Sequence, residues 1–170
     1  MSGYNWLDDT AFCATFVRGL TPHEALTRLG IEVLDGDDEE GEIEEGFICA
    51  RQAEGGTILS ESNGFAGTLD EVLRPLSAGT VTASVFVNVN RVADFVHYAD
   101  GRRVLSFDPL FPGDENGIAE DYLADRIELG LVGEKSEGGL AAALQLAERI
   151  TGVRPNASSD IVTAHGFLDY

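Results

Sequence analysis

The feature that most constrains the fold is residues 80–107, where three strand-like runs follow one another across short turns. From 81 to 89, valine and alanine alternate with polar and aromatic residues, the period-two pattern of a strand with two different faces. Further strand-like runs cover 94–99 and 103–107, and Asp100-Gly101 between them is a strong hairpin signal. Because consecutive strands joined by short turns pair antiparallel, these residues predict a three-stranded meander.

Other segments add strands before the meander and helices after it. Apolar, β-prone runs occur at 11–17, 47–52 and 57–60, and helical spacing of apolar residues marks 118–131 and 140–150. The sequence therefore predicts an α+β fold, in which an antiparallel sheet of about five strands has helices packed on one face. The length of 170 residues suits a single domain spanning 1–170.

Two helix starts share the motif T-x-x-E-[AV]-L-x-x-L, beginning at Thr21 and at Thr68. In each copy the threonine can cap the helix while the following glutamate bonds back to its amide, which is a capping box. An ancient duplication and independent use of the same capping chemistry both explain the repeat. Near the end, Ser158-Ser159-Asp160 is predicted to cap a final helix through His165, with Phe167, Leu168 and Tyr170 as an apolar terminal anchor.

Charge restricts the molecules that the protein can approach. The chain has 30 acidic and 11 basic residues and a formal charge of -19, which repels nucleic acid and anionic membranes and attracts basic surfaces. Eight of the eleven residues from Asp35 to Glu45 are acidic, so an acidic surface loop is predicted at about 35–46. The residues expected to bind a basic partner are Asp35, Asp37, Asp38, Glu39, Glu40, Glu42, Glu44, Glu45, Asp114 and Glu115.

Dedicated catalytic and metal-binding patterns are absent from the sequence. The acidic run has no ligand residue at the first position of an EF-hand loop, and His23, His97 and His165 lack zinc-site spacing. There is no G-x-S-x-G or G-K-[ST] element. Cys13 and Cys49 lie in strand-like runs and are expected to be buried free thiols. No cofactor and no metal are predicted. Whether the protein is an enzyme stays open, and the sequence favours a non-enzymatic function.

Two classes of function follow from these observations. The preferred one is a non-catalytic interaction protein that binds a basic macromolecule, such as an immunity protein or antitoxin, an inhibitor or an accessory subunit. The alternative is a small-molecule-binding or enzymatic domain whose pocket lies between the sheet and the C-terminal helices, lined by Phe86, Asn88, Asn90, His97 and Tyr98. The acidity could also serve only to keep the protein in solution.

The location is predicted to be cytoplasmic, without contact with a membrane. Residues 1–6 lack the basic start and apolar run of a secretory signal. The sequence also has no uninterrupted apolar stretch near the ~18 residues that span a bilayer.

Several stretches resemble one uncharacterised family. WLDDTAFCATFVRGLTPHEAL, residues 6–26, is similar to the opening WLDDTFCxTFVRGLTPxEAL of small actinobacterial (Streptomyces-type) proteins. The later stretches at 63–68, 84–90 and 106–112 resemble the NGFxGT, S-V-F-x-N-V-N and S-F-[DE]-P-L-F-P segments of the same family. The resemblance implies a cytoplasmic actinobacterial protein, and it assigns no catalytic residues because the family has no known function. Ala11 and the acidic run at 35–45 depart from the family pattern.

Overall fold

The computed structural model describes residues 3–38, 40, 44–62, 64–112, 122–132 and 138–170. The strands in these residues are β1 Phe12–Arg18, β2 Leu34–Asp35, β3 Phe47–Ala53, β4 Gly56–Glu61, β5 Val81–Val87, β6 Ala93–Ala99, β7 Arg102–Phe107 and β8 Ala164–Phe167. These eight strands form one antiparallel sheet within the described ranges, in the order β2-β8-β3-β4-β1-β5-β6-β7. The α+β class is confirmed, whereas the expected number of about five strands is too low.

Helices cover both faces of this sheet. The helices among the described residues are α1 Pro22–Arg28, α2 Asp70–Leu76, α3 Leu123–Glu128 and α4 Leu140–Thr151, with 3-10 turns at Ala66–Thr68 and Ala157–Asp160. The first face, beneath α4, includes Phe16 and Val85. The second face, beneath α1 and α2, includes Val17 and Leu59. The expectation of helices on one face is therefore wrong, because central strands such as β1 are apolar on both sides.

The predicted meander is confirmed as β5, β6 and β7. Val81 pairs with Ala99 across the first hairpin, and Ala99 pairs with Arg102 across the second. Asp100 and Gly101 have φ angles of 47° and 77°, the left-handed conformation that a two-residue Asp-Gly turn requires. This part of the fold is predictable because its strand alternation and its turn are both local in sequence.

Strands β2 and β8 were not predicted. Residues 158–165 were expected to form a helix, but Asn156 caps a 3-10 turn that ends at Asp160. The chain then extends and pairs as β8 with β3 and with β2. Four-residue and two-residue strands are too short for an alternation pattern, so their pairing is set by distant neighbours.

The two copies of the capping motif fold differently. At α1, the Glu24 amide donates to Oγ1 of Thr21 at 3.1 Å and the Thr21 amide donates to Oε1 of Glu24 at 3.1 Å, so this capping box is confirmed. Thr68 instead belongs to a 3-10 turn, where its hydroxyl donates to the Phe65 carbonyl. Leu69 is the N-cap residue of α2 and makes no side-chain hydrogen bond there. The prediction of a second capping box is therefore wrong.

Replacing the two threonines should separate the true cap from the false one. Thr21→Ala is expected to lower the free energy of unfolding by about 1 kcal/mol, because the Glu24 amide in the first turn of α1 loses its side-chain acceptor. Thr68→Ala should cost clearly less, since its hydroxyl caps no helix. Urea unfolding of both variants measures the difference, and equal losses would contradict it.

Two further observations concern the cysteines and the crossing of a membrane. Cys13 and Cys49 are buried and free, as predicted. Within the described residues, no helix combines the length and the apolarity that crossing a bilayer requires.

Candidate functional site

The acidic run begins on the edge strand β2, where several bonds fix its first residues. Asp35 pairs with Ala164 of β8, and its Oδ1 lies 2.7 Å from Nε2 of His23. Nδ1 of His165 donates to the Gly36 carbonyl at 2.6 Å. The start of the predicted partner-binding loop is thus attached to the sheet.

The end of the run opens into a cleft beside the last residues of the chain. Its volume is about 490 Å³. It is lined by three carboxylates and three rings: Glu44, Glu45 and Asp169, with Phe65, Phe167 and Tyr170. The Leu168 amide donates to the Gly46 carbonyl at 2.9 Å, which holds the acidic run against the C-terminal segment. We call this site the acidic–aromatic cleft.

The rings of the cleft are exposed but ordered by contacts with one another and with the sheet. Phe65 and Tyr170 pack edge to face, with 5.0 Å between ring centroids, and Phe167 lies 5.3 Å from Phe47 of β3. Their exposed fractions are 47% for Phe65, 37% for Phe167 and 43% for Tyr170. Aromatic faces beside carboxylates suit a cationic group, which gains from the ring quadrupole and from charge pairing.

Beneath the cleft lies a buried carboxyl group, Glu61 at the end of β4. It is 6% exposed, and its Oε1 accepts a bond of 2.8 Å from the Tyr170 hydroxyl. The same hydroxyl accepts from the Phe65 amide at 3.1 Å. Burial raises the pKa of Glu61 to about 7, against the opposing effect of hydrogen bonds from Tyr170, from the amides of Ala66 and Gly67 and from Cys13.

Cys13 faces Glu61 from the neighbouring strand β1. Burial raises the pKa of the Cys13 thiol well above its ordinary value, and the negative charge of Glu61 is the second largest cause of the increase. A thiol held in its neutral form is a poor nucleophile. This pair therefore offers a titrating carboxyl group and not an activated sulfur.

The structure places the predicted acidic residues in different surroundings. Glu44 and Glu45 line the cleft, and Asp35 lies at the opposite end of the run. Asp37 and Glu40 are exposed and Asp38 is half-buried. Four predicted residues, Glu39, Glu42, Asp114 and Glu115, lie outside the described residues.

Four of the six acidic and aromatic residues of the cleft were missing from the predicted site: Phe65, Phe167, Asp169 and Tyr170. The sequence signal that could have found them is the row of aromatic residues at the end of the chain, which was expected only to anchor the fold. Phe65 gave no such signal, because its partner in the cleft is more than 100 positions away.

The alternative pocket residues do not meet in one cavity. Phe86 and Asn88 line a smaller cleft of about 150 Å³, whose lining also includes Phe65. Oδ1 of Asn88 accepts from the amide of Asn90 at 3.0 Å, which holds the turn after β5. His97 and Tyr98 are consecutive residues of β6 and point to opposite faces of the sheet.

Contacts on each face of β6 explain this separation. The ring of His97 packs edge to face on Tyr122, 5.7 Å between centroids, and its Nδ1 donates to the Thr82 carbonyl at 2.8 Å. Burial lowers the pKa of His97, so it is a neutral packed residue. The Tyr98 hydroxyl donates to Asp70 of α2 at 2.7 Å. The side chains of His97 and Tyr98 thus contact different neighbouring segments, on opposite faces of the sheet.

Comparison with known proteins gives a family and no function. A family model described as a family of unknown function (DUF6461) matches residues 1–164, in agreement with the predicted resemblance to an uncharacterised family. No curated protein and no solved structure matches the chain. Among the described residues, no three His, Cys, Asp or Glu side chains converge as metal ligands.

Proposed function

The chain belongs to this family of unknown function, and we propose from the chain's own geometry that it is a non-catalytic interaction protein for a basic macromolecular partner. The acidic–aromatic cleft is its contact site. The observation that carries the proposal is the meeting of three carboxylates and three exposed rings in one cleft. Such binding would suit an immunity protein, an antitoxin, an inhibitor or an accessory subunit.

The charges of the cleft are available to a partner. In the part of the chain that the structure describes, no arginine or histidine forms an ion pair with Glu44, Glu45 or Asp169. The net charge of -19 adds a long-range field that speeds encounter with a basic protein.

The rings determine which cations fit best. An arginine side chain can lay its planar guanidinium group against an aromatic face while its N–H groups bond to carboxylates. A lysine ammonium group forms the charge contact but lacks this planar fork. The cleft is therefore suited to an arginine-rich surface of the partner.

A charge-neutralising variant with a matched control tests the proposal. The cleft variant is Glu44→Gln/Glu45→Gln/Asp169→Asn. The control variant, Asp9→Asn/Glu54→Gln/Asp160→Asn, removes three exposed carboxylates outside the cleft and so the same total charge. Immobilised wild type should capture a basic protein from native lysate at low salt and release it at high salt, where the Debye length falls below about 10 Å.

With the captured protein purified, the cleft variant should associate roughly tenfold more slowly than wild type, and the control variant much less so. Surface plasmon resonance at two salt concentrations measures both rates. Equal association rates for the two variants, or a captured protein that stays bound at high salt, would contradict the proposal that the cleft is the contact site.

A further inference from the structure

We propose that Glu61 is a proton-sensitive latch under the acidic–aromatic cleft: its charge state controls how firmly one wall of the cleft is held and how well the cleft binds a cation. The part of this inference that concerns binding rests on the function proposed above. The part that concerns the wall stands on the geometry of Glu61, Phe65 and Tyr170 alone.

A continuous set of hydrogen bonds joins the carboxyl group to the cleft wall. The Phe65 amide donates to the Tyr170 hydroxyl, and that hydroxyl donates to Oε1 of Glu61. The two rings of the same residues form the wall and pack edge to face. Gly64 leaves the space for this arrangement, since a methyl group there would overlap Oε1 of Glu61 and approach the Tyr170 hydroxyl to 2.6 Å.

The surroundings of Glu61 make its protonation sensitive to near-neutral pH. In the described part of the chain, the titratable groups facing it are Cys13 of β1 and Tyr170. Apolar side chains also face it: Leu29 just after α1, Ile48 of β3 and Val72 of α2. Burial, uncompensated by any cation among the described residues, raises the pKa of Glu61 to about 7.

The two charge states hold the wall with different strength. Ionised Glu61 receives a charge-assisted bond from Tyr170, which is stronger than a bond to a neutral carboxyl group. The ionised form also adds a negative charge beneath the cleft. A bound cation therefore favours ionised Glu61, and by reciprocity ionisation strengthens cation binding. Affinity should rise with pH across about 7.

Fold stability should change in the opposite direction. Burial raises the pKa of Glu61 above its ordinary value of 4.5, so the folded chain binds more protons than the unfolded chain between about pH 4.5 and 7. The free energy of unfolding should then decrease as pH rises through that window. An affinity that rises while stability decreases distinguishes the latch from general loosening of the fold.

Nuclear magnetic resonance of the whole chain tests the wall directly. Between pH 5 and 9, the Glu61 carboxyl carbon, the Phe65 amide and the Tyr170 ring should shift with one shared midpoint near 7. Glu61→Gln should abolish the shifts of Phe65 and Tyr170. Separate midpoints, or Phe65 and Tyr170 signals that still titrate in this variant, would overturn the latch.

Glu148→Gln is the matched control. It alters a second carboxyl–tyrosine pair, in which the Tyr4 hydroxyl donates to Oε2 of Glu148 at 2.7 Å, away from the cleft. This variant should keep the pH response of Phe65 and Tyr170. Loss of that response in Glu148→Gln would show that the shifts report the whole fold and would also overturn the latch.

Binding is tested with a peptide of nine arginines, whose charge is constant over this pH range. Wild type should bind it roughly fivefold more tightly at pH 8 than at pH 6, and Glu61→Gln should show little change. An equal rise in both proteins would overturn the link between Glu61 and affinity. Absence of peptide binding at any pH would overturn the proposed function, while the shared midpoint would still support the latch on the wall.

Discussion

Gly67→Ala is expected to lower the free energy of unfolding by about 3 kcal/mol, although it adds a single methyl group. Gly67 lies in the 3-10 turn that covers β1 and β5. The added methyl group would overlap Oγ1 of Thr15 and lie 2.7 Å from Sγ of Cys13 and 3.1 Å from Oγ of Ser84. These atoms belong to central strands that cannot move independently, so the overlap forces rotamer and backbone shifts that cost up to about 3 kcal/mol. Urea unfolding followed by circular dichroism measures the loss.

A second substitution shows whether steric overlap is the cause. Thr15→Ala removes the atom nearest to the new methyl group, so the double variant should recover at least about 1 kcal/mol relative to the sum of the single variants. Gly67→Ala should also shift the titration of Glu61, because the Gly67 amide donates to that carboxyl group. A loss below about 0.5 kcal/mol, or additive losses in the double variant, would contradict this account.

The fold was predictable where its signals are local. Residues 80–107 form the expected meander because alternation and the Asp100-Gly101 turn lie within one stretch of chain. Helix α4 was also expected over 140–150, and it is followed by the C-cap residue Gly152, which has a left-handed φ of 72°. The strand pair β2–β8 was not predictable, since its residues are far apart in sequence and short.

The candidate site was only half predictable for the same reason. Charge density indicated Glu44 and Glu45, but it also indicated Asp35, which lies at the other end of the run. The rings of Phe65 and Tyr170 meet through tertiary contacts between segments 105 positions apart. The sequence S-E-S around Glu61 looks like an exposed polar stretch, and only the packing of β1, α2 and the C-terminal segment makes that carboxyl group buried.

Phe16→Ala is expected to have the largest effect on stability of the substitutions considered, a loss of about 4 kcal/mol. Phe16 lies on β1, between β4 and β5 at the centre of the sheet, and it is 0% exposed. Its ring is 6.1 Å from that of Tyr4 on the face covered by α4. Truncation removes buried apolar surface and leaves a cavity that fixed strands cannot close, which costs about 3–5 kcal/mol for Phe→Ala. Thermal and urea unfolding measure the loss.

Phe111→Ala is the control, because Phe111 is 77% exposed and the same truncation there should stay within about 0.5 kcal/mol. A loss of about 4 kcal/mol is a large part of the 5–15 kcal/mol that holds a domain folded, so Phe16→Ala could unfold outright. Phe16→Leu keeps most of the apolar volume and should remain folded with a loss smaller than that of Phe16→Ala. Similar losses for Phe16→Ala and Phe111→Ala would mean that the ring of Phe16 is not enclosed between the sheet and α4. The two-sided burial that distinguishes this sheet from the predicted one-sided sheet would then be wrong.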